Sequence, residues 1–317
     1  MRTNFSCCKA FPSILSLCLV VIFCHPPWSL RVFGFNVQKN KEKRMEVTFP
    51  LSLFDRSWCP SASCFNSTMC NPCRRRFLIL ICAGRSASTT LTWMLDALPG
   101  IRMAGENNDI LHELKNMNDH IMGNRKWIRS SGKRNAWGHN KVPPQGYSCV
   151  AQSMVEIINP PNFDQNKSLE EEREADYQTI TGFKTIRFLS HSEDGDEDLV
   201  QFIKDNFPCS RILINYSSNI TRQSNSAWWK KKEQNTSVEI LRSINARLGR
   251  VGNMFGSQAY VLDSATWLRN ISVLNKMVTW LGFPQQCHFK SLLAFNTGGN
   301  GFTHTVTHMR LENDCHI

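Results

Sequence analysis

The segment Phe77 to Cys82 reads FLILIC, an unbroken apolar run set between three arginines and Gly84. A strand buried on both faces of a parallel sheet has this pattern, because neither side of the pleat meets water. The next stretch, Thr89 to Leu98, spaces Leu91, Met94, Leu95 and Leu98 along one helical face, and Pro99 and Gly100 then end it. The same alternation recurs downstream. A second strand is predicted over Thr179–Phe188, followed by an acidic loop or helix start at Glu193–Asp198. A third strand, RILINY, spans Arg211–Tyr216 and leads through a Ser- and Asn-rich turn into a helix running past Trp228. A fourth strand is expected at Gln258–Asp263 and a late helix at Val273–Leu281. Asn107–Ile121 has helical spacing, and Lys133–Tyr147 reads as an ordered loop near a binding face. Strands alternating with helices predict an α/β domain of three layers around a central, mainly parallel sheet. No internal repeat is evident.

The N-terminus follows another pattern. Arg2 and Lys9 precede a run of fourteen residues, Phe11 to Cys24, closed by His25, Pro26 and Pro27. A bilayer span needs about 20 apolar residues, so residues 1–30 read as a signal peptide or as a short signal anchor, and the two readings stay open. The preceding charges favour a cytoplasmic N-terminus and a lumenal remainder. Residues 31–73 lack periodicity and read as a stem or linker ending in a cysteine cluster, with the α/β domain over 74–317. The cluster is Cys59, Cys64, Cys70 and Cys73, among thirteen cysteines in the chain. In an oxidising lumen these are expected to form disulfides, with three possible pairings; spacings of five, six and three fit a zinc ribbon poorly. Sequons at Asn66, Asn166, Asn215, Asn219, Asn235 and Asn270 point to the same compartment.

The excess of 37 basic over 26 acidic residues, net +11, suits an anionic partner. No zinc-finger spacing, basic heptad region or aromatic RNA-binding signature accompanies it, so nucleic acid is not expected. The turn after the first strand suggests which anion. Gly84, Arg85, Ser86, Ala87, Ser88, Thr89 and Thr90 lie between a buried strand and an amphipathic helix. Backbone N–H groups at the helix start, with hydroxyls and one guanidinium, form a cradle for phosphate or sulfate. A nucleoside-triphosphate loop is not expected, because the lysine before its final Ser or Thr is missing.

The segment FLILICAGRSASTTLTWMLDALPGIRMAGEN resembles the 5′-phosphosulfate loop of sulfotransferases that use 3′-phosphoadenosine 5′-phosphosulfate (PAPS), together with the segment that follows it. The resemblance implies a P-loop-type fold, PAPS as donor, and no metal. It implies Glu106 as the base for the acceptor hydroxyl, with His112 as a rival, and Arg85 as the cation on the leaving phosphate. GFKTIR, Gly182 to Arg187, resembles a strand-end basic motif of the same group, implicating Lys184, with Arg187 beside it. After RILINY, Ser226 falls where the family's 3′-phosphate serine belongs. The family's arginine is replaced at Ser217 or Ser218, which leaves Ser218 and Arg222 as the substitutes. Ala87 stands where glycine is usual, and would strain the cradle if that position needs positive φ.

The expected activity is therefore sulfuryl transfer from PAPS to a hydroxyl, with no metal, on a glycan acceptor in the Golgi lumen, with membrane contact through the N-terminal segment if it is retained. The alternative is a catalytically silent relative that binds anionic glycans or a protein partner. His304 and His308, in a Gly-rich C-terminal segment, do not amount to a metal site by themselves.

Overall fold

A computed structural model describes residues 58–59, 70–123, 144–161, 168–189, 192–226, 229, 234–283 and 287–290. The N-terminal targeting segment, Cys64, Asn66, Asn166, Lys133 to Pro143, Trp228, His304 and His308 lie outside these residues. No described helix is long and apolar enough to cross a membrane.

Five parallel strands make one sheet. β1 (Arg76–Cys82) is central, β3 (Ile180–Thr185) lies on one side of it and β4 (Ser210–Tyr216) on the other, while β2 (Ile101–Glu106) and β5 (Ala259–Asp263) form the edges, giving the order β2-β3-β1-β4-β5. Helix α1 (Ser88–Asp96) joins β1 to β2. α2 (Ile110–Gly123), α3 (Pro144–Ile158) and α4 (Leu169–Gln178) lead to β3, and α5 (Asp196–Asn206) leads to β4. α6 (Ile220–Ser224) and α7 (Gln234–Phe255) lead to β5, and α8 (Ser264–Trp267) and α9 (Ile271–Trp280) follow it.

The pleat of β1 sorts the two cores. Leu78, Leu80 and Cys82 face a layer built from Leu91, Met94 and Leu95 of α1 and Leu274, Met277 and Val278 of α9. Phe77, Ile79 and Ile81 face the opposite layer, with Leu114 of α2, Val155 of α3, Ile203 of α5 and Val251 of α7. This is the three-layer α/β arrangement expected from the sequence, and burial on both faces is why FLILIC carries no polar alternation.

The sequence reading missed one strand. β2, IRMAGE, is an edge strand with only partial burial, so it lacks the apolar run that marks β1 and β4. Of the helix expected after β4, the described part is the short α6, which stops at Ser224 with Asn225 as its C-cap, while Trp228 lies outside the described residues. Residues 144–147, read as part of a loop, begin α3.

Two members of the cysteine cluster reach far along the chain. Cys59 pairs with Cys209, immediately before β4, and Cys70 pairs with Cys149 in α3, spanning 150 and 79 residues of sequence. Cys73 and Cys287 are also disulfide-bonded. Trp58 packs into the α1/α9 core, and the Arg211 guanidinium lies over the Trp58 ring, 4.5 Å from its centroid, and over the Trp280 ring, 5.0 Å from its centroid. Residues read as stem are thus stitched into the α/β body.

Candidate functional site

Because all five strands are parallel, their carboxyl ends share one edge. In such sheets ligands bind beyond that edge, where successive connections leave in opposite directions. Here the reversal falls at β1, since β3 and β4 flank it. The loop after β1 is Gly84–Ala87, and its shape follows from how it is tied down. Ser86 Oγ donates to Ala83 O at 2.7 Å, and Asn215 Nδ2 donates to Ser86 O at 2.7 Å and to Ser86 Oγ at 3.0 Å. Trp267 Nε1 donates to Asn215 Oδ1 at 3.0 Å, and Gln223 Nε2 donates to Gly84 O at 2.7 Å. The carbonyls of residues 84 and 86 are therefore held by donors from the protein body, and that of residue 83 by the loop's own Ser86 hydroxyl.

Arg85 and Ala87 both have positive φ, 66° and 58°, with Ser86 between them outside that region. Alternation of this kind turns successive N–H groups toward one concavity, which favours an anion. No side chain caps α1, and its first backbone bond is Leu91 N–H to Ala87 O at 3.2 Å. The N–H groups of Ser88, Thr89 and Thr90 consequently lack intrahelical partners, as the first groups of any helix do, and carry the positive end of its dipole.

The predicted residues divide into three groups. The first converges. Lys184 Nζ lies 2.9 Å from Glu106 Oε1 and donates to Thr89 Oγ1 at 3.4 Å, linking the carboxyl ends of β3 and β2 to the start of α1. The lysine side chain is only 8 % exposed and the glutamate 46 %, so a buried ammonium faces a carboxylate open to solvent. A register shift between Ala104 and Glu106 turns Glu106 onto Lys184. Bulges of this kind re-aim a single side chain.

The second group lies at the cradle with different roles. Arg85 is exposed on the loop. Ser86 is buried and its hydroxyl points into the protein, so it shapes the loop rather than facing a ligand. Ser88 and Thr90 are also buried, which leaves Thr89 as the exposed hydroxyl.

The third group, after β4, is spread out. Ser218 gives both its N–H and its hydroxyl to Asp263, at 2.8 and 2.6 Å, and so is committed to a carboxylate. Arg222 is exposed in α6, its backbone N–H capped by Asn219 Oδ1. Ser226 Oγ is buried, with no hydrogen-bond partner among the described residues. His112, the rival base, has Nδ1 2.5 Å from Asp109 Oδ1 and its ring tilted against Phe188.

Sequence reasoning missed three residues that build the site. Asn215 is fully buried and braces the cradle, yet in sequence it looks like a sequon. Gln223 holds Gly84, and nothing in its local pattern marks it. Asp263 accepts from Ser218, Ala265 and Thr266, and its position before a short helix was the available signal. Burial pushes the Asp263 carboxyl up, but the Ser218 hydroxyl and N–H, the Ala265 N–H and the Thr266 hydroxyl outweigh it and hold its pKa below the ordinary value. Burial raises the thiol of Cys82, under the cradle, to about 12 and disfavours the thiolate, against a hydrogen bond from Ser88 and the charge of Lys184 that favour it. Among the described residues no group of three or more His, Cys, Asp or Glu side chains is arranged to hold a metal ion.

No family model and no curated protein matches this chain.

Proposed function

We propose that the chain is a sulfotransferase of the secretory pathway, moving a sulfuryl group from PAPS to a hydroxyl, with a glycan as acceptor. The observation that carries this reading is the bridge from Thr89 through Lys184 to Glu106, beside an uncapped helix N-terminus. It puts an anion cradle, a buried cation and a solvent-facing carboxylate side by side. In-line transfer needs those three parts. The acceptor oxygen bonds to sulfur, the sulfur–oxygen bond to the 5′-phosphate breaks, and the hydroxyl proton passes to Glu106. Arg85, Lys184 and the N–H groups of residues 88–90 balance the charge that grows on the departing phosphate. At the 5′ end of the donor, the cradle with Arg85 and Lys184 supplies the positive charge that this reading needs. At the 3′ end, Arg222 is the available cation, because Ser218 is engaged by Asp263. Two disulfides, Cys59–Cys209 and Cys70–Cys149, support an oxidising compartment, which accords with the targeting segment.

One observation favours a second reading, that of a silent relative which binds anions without transferring them. A carboxylate, Asp263, lies beside Ser218, where the 3′-phosphate would need positive charge. A single experiment separates the two. Thermal unfolding of the full chain is followed with 3′-phosphoadenosine 5′-phosphate, and transfer is followed with labelled PAPS and a glycan pool. The sulfotransferase reading expects a ligand-induced rise in Tm that Arg85→Ala abolishes and Glu106→Gln keeps, with transfer lost by about 10²-fold or more in Glu106→Gln. A wild-type chain with no rise at saturating nucleotide overturns it.

A further inference from the structure

Asn215, Asn219, Asn235 and Asn270 lie among the described residues, and the fold treats these four sequons differently. Asn215 is fully buried, and its Nδ2, the atom that an N-linked sugar would occupy, donates to Ser86 O and Oγ. Ser217, its hydroxyl partner in the motif, is buried as well. A glycan there would remove two bonds that shape the cradle and would need space inside the core. Asn219 is part-buried at the site edge, with Oδ1 capping α6. Asn235 is exposed at the start of α7, but Ser237 is fully buried and donates to Trp229 O at 3.3 Å.

Asn270 combines the features that the other three lack. It is exposed, and so is Ser272. Its Oδ1 caps α9, accepting from Ser272 N–H at 3.1 Å and Ser272 Oγ at 2.7 Å. The amide's two polar atoms thus have separate duties: oxygen holds the helix, and among the described residues nothing bonds to Nδ2. A sugar on Nδ2 leaves the cap intact, because the linked nitrogen stays part of an amide whose oxygen still accepts.

We infer that Asn270 is an N-glycosylation site of the folded protein and that Asn215 stays unmodified. The inference rests on the secretory reading above. In the transfer step, C1 of an oligosaccharide carried on a lipid pyrophosphate bonds to Asn270 Nδ2. The bond from C1 to the pyrophosphate oxygen breaks, the amide loses one proton, and the lipid pyrophosphate leaves.

The test expresses the full chain in secretory eukaryotic cells and treats its peptides with peptide-N-glycosidase in heavy-oxygen water, which marks each occupied Asn as labelled Asp. Free thiols are alkylated before reduction in the same sample. Label at Asn270 and none at Asn215 is the expected result. Asn270→Asp keeps a cap oxygen and removes the acceptor nitrogen, and Ser272→Ala keeps the Asn and removes the motif. Each should raise electrophoretic mobility by one glycan step with the fold retained by circular dichroism. Label at other sequons without Asn270, or label at Asn215 in folded protein, overturns the inference while leaving the secretory reading standing. No label anywhere, with Cys59, Cys70, Cys149 and Cys209 all alkylated as thiols, overturns both. No label with those disulfides intact overturns the glycan alone.

Discussion

Ala87 lies where a side chain is least welcome, at φ 58° and ψ 21°, one residue before α1. Glycine visits that region freely, whereas an L side chain there costs about 1–2 kcal/mol. Ala87→Gly is expected to raise stability by about 1 kcal/mol in urea unfolding, if relief of this strain outweighs the added freedom of the unfolded chain. A fall in the midpoint would show that the strain is not felt. Gly84, three residues earlier, has no such demand, since an added Cβ there would meet open space. Asp263 carries a pH prediction. Its hydrogen bonds hold the folded carboxyl below the ordinary pKa of 3.8, so its stabilising effect is complete above that value. It is lost as pH falls through the lower, folded pKa. Asp263→Asn should flatten the acid limb of stability against pH, and an unchanged limb would assign that limb to other carboxylates.

At the scale of elements, the packing of β2 on β3 on β1 depends on Gly182. A Cβ there would meet Met103 Sδ and stand 2.9 Å from Leu78 O. Gly182→Ala should cost about 1–3 kcal/mol, measured by denaturant unfolding, because a backbone oxygen cannot swing aside. A neutral result would mean that β2, as an edge strand, shifts at little cost. The strands on either side of this glycine differed in how visible they were in sequence. FLILIC and RILINY were legible because they are buried on both faces. IRMAGE was not, because this edge strand is only partly buried and its Arg102, Gly105 and Glu106 break up the apolar pattern. Helix α4 was passed over although it begins with a capping box, Ser168 with Glu171, a signal that can be read from sequence. Its charged composition gave no apolar stripe to draw attention to it.

Across the whole molecule, two disulfides reach from the N-terminal side into the body, to Cys209 before β4 and to Cys149 in α3. Closing long loops restricts the unfolded chain, and each bond is expected to contribute about 2–4 kcal/mol. The double variant Cys59→Ser, Cys209→Ser should therefore lower Tm by several degrees while leaving Trp58 able to pack. An unchanged Tm would show that the Trp58 and Arg211 contacts suffice. Sequence alone determined the layered fold and the turn of hydroxyls and one guanidinium between β1 and α1, which are local features that follow from apolar periodicity and from residue types adjacent along the chain. Glu106, Arg85 and Lys184 were named together as candidate chemistry only through the resemblance to PAPS-dependent sulfotransferases. Only the tertiary structure decided that Lys184 reaches both Glu106 and Thr89, that Ser86 turns inward, that Asp263 claims Ser218, and that Cys59 and Cys70 find partners far along the chain. Each of these is a contact between residues on different elements, and such contacts are set by the strand order, which brings β2, β3 and β1 together at one edge.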